Sequence, residues 1–130
     1  AIETILKGPE FPLPADLHFK DKDGHVRDAA RIKWWLDKKT PSHLKLDFVN
    51  ATLSQKQQAS LDQMRVGKDL KIEKAPVFFG HYWMRGEPET FGSQYACVDY
   101  SVAKQGKLVA YRFDGDKKLN KRNFIYAASP

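Results

Sequence analysis

Along residues 107–113 the side chains alternate, with Leu108, Ala110 and Arg112 on one side and Val109, Tyr111 and Phe113 on the other. A period of two predicts a strand, and Gly106 and the Asp114-Gly115-Asp116 triplet supply the turns that bound it. A shorter strand is predicted over 96–100 and a last one over 123–127. Upstream, Val77, Phe78 and Phe79 form an unbroken apolar run after Pro76 and stop at Gly80, which predicts a buried strand. His81 follows at once, then Tyr82 and Trp83. An imidazole therefore stands at the carboxyl end of a strand, where ligands gather in open α/β sheets, next to a glycine that lets the backbone bend or approach a ligand.

The first half is less regular. Ile2, Ile5 and Leu6, then Gly8, Pro9, Pro12 and Pro14, fit a helix end followed by an extended, proline-held connector. Around Asp23-Gly24 two readings compete: a hairpin turn, or a helix capped by Asp21 or Asp23 and starting near His25. The helix is preferred, because Val26, Ala29, Ala30, Lys33 and Trp34 would share a face, with Arg27 and Arg31 toward solvent. Residues 37–52 read as a surface loop in which Leu44, Leu46, Phe48 and Val49 could form a short strand. Ser54 with Gln57 three positions on is a capping box, and Leu61, Met64 and Arg65 continue a helix over 54–66 ended by Gly67. Residues 68–75 connect it to the next strand, and there is no internal repeat.

With 130 residues, 42% hydrophobic and 29% charged, the chain has the balance of one globular domain rather than a disordered segment. The net charge of +6 is spread over both halves. Its one cluster, Lys117, Lys118, Lys121 and Arg122, is too small to demand nucleic acid, which is not expected as a partner. A mild positive field also suits an anionic, phosphorylated substrate. Cys97 is the only cysteine, which excludes an intrachain disulfide and a Cys-rich zinc site and points to a reducing cytoplasm. No stretch reaches the ~20 apolar residues of a membrane span, no export signal is visible, and the initial Ala suggests a processed or excised piece.

Spacing alone leaves His81 open between a turn residue and a metal ligand. His18, His25 and His43 lack the i, i+4 spacing of a helical metal pair, and no Asp-x-His occurs. Asp21, Asp23 and Gly24 superficially suggest a calcium loop. Phe19, however, occupies the place of the first carboxylate and Ala30 that of the bidentate Glu, which excludes one. Cys97 reads as a small core residue without a neighbouring base. Asp99 reads as a turn-capping acceptor, or as a partner that orients a His ring. Trp34 and Trp35 lie about 100° apart on a helix, so one of them should seal against another element. Tyr82, Arg85 and Glu87 follow His81 closely enough to line a pocket.

The order Pro76-Val-Phe-Phe-Gly-His-Tyr-Trp83, Ala96-Cys-Val-Asp-Tyr100 and Gly106-Lys-Leu-Val-Ala-Tyr-Arg112 resembles the C-terminal end of calcineurin-like metallophosphoesterases. The likeness is to the bacterial branch related to serine/threonine protein phosphatases and symmetrical dinucleoside tetraphosphatases. Lys7-Gly-Pro-Glu10, Pro12-Leu-Pro14, Phe19-Lys-Asp-Lys-Asp-Gly-His25 and Trp34-Trp35 resemble it too, and the likeness is weakest over 37–70. The resemblance implies that His81 is a ligand in a two-metal centre of manganese, iron or zinc, where a metal-activated hydroxide hydrolyses a phosphate ester. Trp83 stands where many members carry a second His, which matches the protein-phosphatase variant of the motif. The family's other ligand motifs, Asp-x-His, Gly-Asp, Gly-Asn-His-Glu and a further His segment, do not occur here.

The fold class expected is α+β: two or three helices with a mixed or antiparallel sheet, forming the C-terminal portion of the family's αββα sandwich. The chain is expected to be a single domain over 1–130, part of a larger catalytic domain. It would contribute His81 and the closing sheet, and be inactive alone. Its partners would be the N-terminal, ligand-bearing half of its own parent chain and a phosphorylated substrate. The alternative is a non-enzymatic binding module with a basic C-terminal surface.

Overall fold

The structure is a computed structural model that describes residues 2–21, 23–49, 51–67 and 75–128. The fold is mixed α+β, rich in short strands, and forms two compact units, residues 1–70 and 71–130. The connector expected over 68–75 lies, apart from Ala75, outside the described residues.

The first unit begins with α1 (Ile2–Lys7) and continues through β1 (Glu10–Pro12), β2 (Phe19–Lys20), β3 (Val26–Arg27) and β4 (Ala29–Ile32). After these come α2 (Ser42–Lys45), β5 (Leu46–Asp47) and α3 (Gln55–Asp62). β4 is the centre of an antiparallel sheet of order β1-β4-β5, with Phe11 opposite Ala30 and Ile32 opposite Leu46. The proline-rich connector thus includes a strand. Pro12 is tolerated because it ends β1 at a sheet edge, where a missing N–H costs no ladder bond.

The helix expected from His25 onward does not form. Asp23-Gly24 instead closes the β2–β3 hairpin, with Phe19 opposite Arg27. Turn chemistry decides the outcome. Asp21 Oδ1 accepts the backbone N–H groups of Asp23 and His25, both at 2.9 Å, and Gly24 takes φ 82°, open to glycine without strain. Val26, expected on a buried helix face, is 62% exposed, while Ala30 and Ile32 point inward from β4 with the period of a strand. Trp34 and Trp35 follow in a turn, their rings edge to face at 5.7 Å; Trp35 is buried and Trp34 packs on the core margin.

Residues 37–52 are not wholly the surface loop expected: Leu46 and Phe48 enter the core, while the strand is confined to Leu46–Asp47, Leu44 lies exposed in α2, a helix too short to show a period, and Val49 is exposed. In α3 the capping box forms as read, with Gln57 N–H donating to Ser54 Oγ at 3.3 Å and Ser54 N–H to Gln57 Oε1 at 2.9 Å. The helix ends at Asp62, earlier than expected, and Met64 and Val66 reach the core from the turn beyond it. Leu17, Phe19, Ala30, Ile32, Leu46, Phe48, Leu61 and Val66 make this unit's core.

The second unit holds β6 (Val77–Phe79), β7 (Thr90–Phe91), β8 (Tyr95–Cys97), β9 (Asp99–Tyr100), β10 (Lys107–Tyr111) and β11 (Phe124–Ala128). Single 3-10 turns precede β10 (Val102–Lys104) and β11 (Lys121–Asn123). β8 pairs parallel with β6 and antiparallel with β7, and β10 lies between β9 and β11 in a second, antiparallel sheet. The alternation read along β10 holds: Val109 is buried while Leu108 is 64% exposed. Ala96, Tyr100, Val109, Leu119 and Phe124 form the core of this unit, with Tyr111 packed edge to face on Phe124 at 5.0 Å. Gly106 fits only as glycine, because a Cβ there would stand 2.0 Å from the Tyr100 carbonyl oxygen.

Candidate functional site

His81 stands where the sequence places it, directly beyond β6, but β6 is not the buried strand expected. It is the edge of its sheet, and Phe78 is 38% exposed. Phe78 covers its outer side with Tyr111 and Phe113, at ring distances of 5.1 and 5.4 Å. Val98 N–H donates to the Phe79 carbonyl at 2.9 Å, so the end of β6 is tied to the chain leaving β8.

After Gly80 the backbone turns sharply. His81 has φ 73° and Trp83 φ 49°, both in the left-handed region that costs a residue with a Cβ about 1–2 kcal/mol. The compensation comes from Asp99. Its Oδ2 accepts the His81 N–H at 2.9 Å, its Oδ1 accepts the Ser101 N–H at 3.1 Å, and its carbonyl accepts the Met84 N–H at 3.0 Å. The Ser101 hydroxyl then donates to the Met84 carbonyl at 3.2 Å. The turn at 80–84 and the chain leaving β9 at Ser101 are thereby fixed to one residue, Asp99. Asp99 acts as an acceptor for backbone N–H groups, one of the two roles read for it. The His81 side chain is half-buried, with Nε2 shielded from solvent.

The neighbouring residues divide by role. Tyr82 is buried, its ring edge to face with Phe79 at 5.9 Å. Glu87 accepts from both Lys107 Nζ and the Tyr126 hydroxyl, and Lys107 also lies 4.5 Å from the centre of the Tyr126 ring. The Lys107 and Tyr126 hydrogen bonds hold the Glu87 carboxyl below its usual range, and Glu87 in turn pushes the Tyr126 phenol up. Arg85 is exposed and lines a surface depression with Tyr100, Ser101 and Lys104. Cys97 is fully buried, and desolvation pushes its thiol up to about 11. It is a core residue without nucleophilic character.

Among the described residues, the one group of three or more metal-type donors within 4.8 Å of one another is Asp21, Asp23 and His25, in the β2–β3 turn. The Asp21 carboxylate is already engaged there: besides the two backbone N–H groups it takes Arg27 at 2.7–2.8 Å. Burial raises the Asp21 carboxyl, but Arg27 and the His25 and Asp23 N–H groups outweigh it, and the net displacement is downward. No such group includes His81. One imidazole falls short of the four or so donors a metal needs in defined geometry, so the described residues do not by themselves fit a resident metal. His43 is otherwise employed, its Nδ1 lying 2.9 Å from both Asp62 oxygens. The signal that sequence reasoning missed is Glu87 as a bridge to β10 and β11. Its partners are 20 and 39 residues away, beyond any local motif.

Among the described residues, no helix is long and apolar enough to cross a membrane. Comparison with protein-family models, with curated proteins and with solved structures finds no match for this chain.

Proposed function

We propose that the chain is the C-terminal part of a cytoplasmic, metal-dependent phosphoesterase of the calcineurin-like type. In this reading it supplies one ligand, His81, and the closing sheet of an αββα sandwich. The observation that carries it is the posture of His81 beyond β6, where its backbone is held in a left-handed conformation by Asp99. A strained non-glycine residue that the surroundings over-determine is a mark of functional turns. In an enzyme of this kind divalent manganese, iron or zinc supplies Lewis acidity for hydrolysis of a phosphate ester. The remaining ligands would come from the N-terminal half of the parent chain, since no donor cluster includes His81 among the described residues.

The test sets the 130-residue chain beside its full-length parent, each with manganese and an aryl phosphate. The reading expects turnover by the parent and none by the chain alone. Turnover by the chain alone would refute the division of ligands.

One observation favours a non-enzymatic binding surface as a second reading: Lys117, Lys118, Lys121 and Arg122 are all exposed. Lys121 already lies 3.6 Å from Glu89, which reduces what the cluster offers a polyanion.

A further inference from the structure

We propose that the depression between the turn at 84–86, the turn at 101–106 and β10 binds a phosphate-type anion. This inference goes beyond the reading of His81 and does not depend on a metal. The cavity measures about 300 Å³ and is lined by Arg85, Tyr100, Ser101, Lys104, Gln105 and Lys107. That size is at the lower limit of small-molecule sites, ~300–1,000 Å³, and suits a compact polar group.

The charge around it selects the ligand. Arg85 comes from one segment and Lys104 and Lys107 from another, and the two segments share the lining of the depression only in the folded unit. Lys107 is neutralised by Glu87, but among the described residues Arg85 and Lys104 are in no ion pair. Two uncompensated cations beside a concavity favour an anion. The guanidinium can bind a pair of phosphate oxygens in a fork, while the ammonium acts as a point charge. A cation has no acid left to hold it, since Glu87 is taken by Lys107 and Tyr126.

The base of the depression is built in advance. Tyr100 and Ser101 are buried, the Ser101 hydroxyl is fixed to the Met84 carbonyl, and the Gly106 N–H donates to the Ser101 carbonyl at 3.0 Å. Ser101 and Gln105 both take left-handed conformations, with φ of 60° and 59°, so the 101–106 turn has a defined shape before any ligand arrives. Preorganisation of this kind lowers the entropic cost of binding.

The test uses the ¹⁵N-labelled chain at low salt with a chelator present, titrated with sodium pyrophosphate and, separately, with sodium succinate. The expected result is a saturable shift of the Ser101, Gln105 and Gly106 amides by pyrophosphate. Affinity should fall as sodium chloride is added and weaken at least tenfold in the Arg85→Ala, Lys104→Ala double variant. Should that variant lose its dispersed spectrum, Lys104→Gln alone carries the comparison. Absence of a saturable shift, unchanged affinity in these variants, or an equal loss in Lys117→Ala, Lys118→Ala would overturn the site. Equal binding of succinate would overturn the phosphate class. Because no metal is present, the outcome is independent of whether His81 is a ligand.

Discussion

Asp99 holds His81 by its backbone: the carboxylate accepts the His81 N–H at 2.9 Å, and its second oxygen is used on the Ser101 N–H at 3.1 Å. An acceptor of two part-buried N–H groups cannot be removed cheaply, because each donor is left without a partner. Asp99→Ala is expected to lower stability by about 2–6 kcal/mol, on the scale of about 1–3 kcal/mol for each of the two orphaned donors, read from urea unfolding. Asp99→Asn keeps one strong acceptor and should cost clearly less. Equal losses for the two variants would show that bulk, not acceptance, is what Asp99 provides.

Gly106 is the tightest position in the second unit. A Cβ would stand 2.0 Å from the Tyr100 carbonyl oxygen and 2.6 Å from that of Ser101, both backbone atoms that cannot swing aside. Gly106→Ala should therefore disrupt the β9–β10 pairing and cost upwards of about 3 kcal/mol, the scale of severe core damage. Gly115 makes the control: it has φ 86° but open space around it, so Gly115→Ala should cost only about 1 kcal/mol of left-handed strain. Thermal melts followed by circular dichroism would rank the two.

Much of this was readable in the sequence, and the exceptions share a cause. The capping box at Ser54 and Gln57 and the alternation along β10 are local signals, carried by neighbours within one element. The stretch after Gly24 offered two local signals that disagreed, an apparent helical face and a turn. The turn prevailed because Asp21 brings three donors to one carboxylate, which periodicity does not reveal. β6 read as buried because its side chains are apolar. Its place at a sheet edge depends on pairing with β8, and Phe78 is covered by Tyr111 and Phe113, more than 30 residues away. His81 was visible as a residue at a strand end, whereas the posture of its backbone depended on Asp99, 18 residues on.

Acid sensitivity should reside partly in the first unit. Asp62 accepts the His43 backbone N–H at 3.0 Å and faces its ring, and these contacts, the backbone bond first, depress the Asp62 carboxyl. A carboxyl depressed in the folded state stabilises at pH above its unfolded value, ~3.9, and that contribution is lost as pH falls through the folded value. Asp62→Asn should therefore flatten the stability profile below about pH 4, measured as urea midpoint against pH. An unchanged acid limb would show that the contact between α2 and α3 carries no linkage.

Cys97 provides a probe of the second core. With its thiol pushed up to about 11 and its side chain fully buried, it should resist a disulfide reagent at neutral pH and react only as the second unit opens. The rate of labelling as urea is added would then report local opening around β8. Rapid labelling without urea would contradict the packing described.

His81 is proposed as one ligand of a site completed by the rest of a longer chain. The most direct measurement is turnover of an aryl phosphate, with manganese, by the full-length parent and by its His81→Ala variant at matched folded concentration. Loss of most activity with the fold retained is the predicted result. Activity that survives His81→Ala would contradict the assignment and leave His81 as a turn residue held by Asp99.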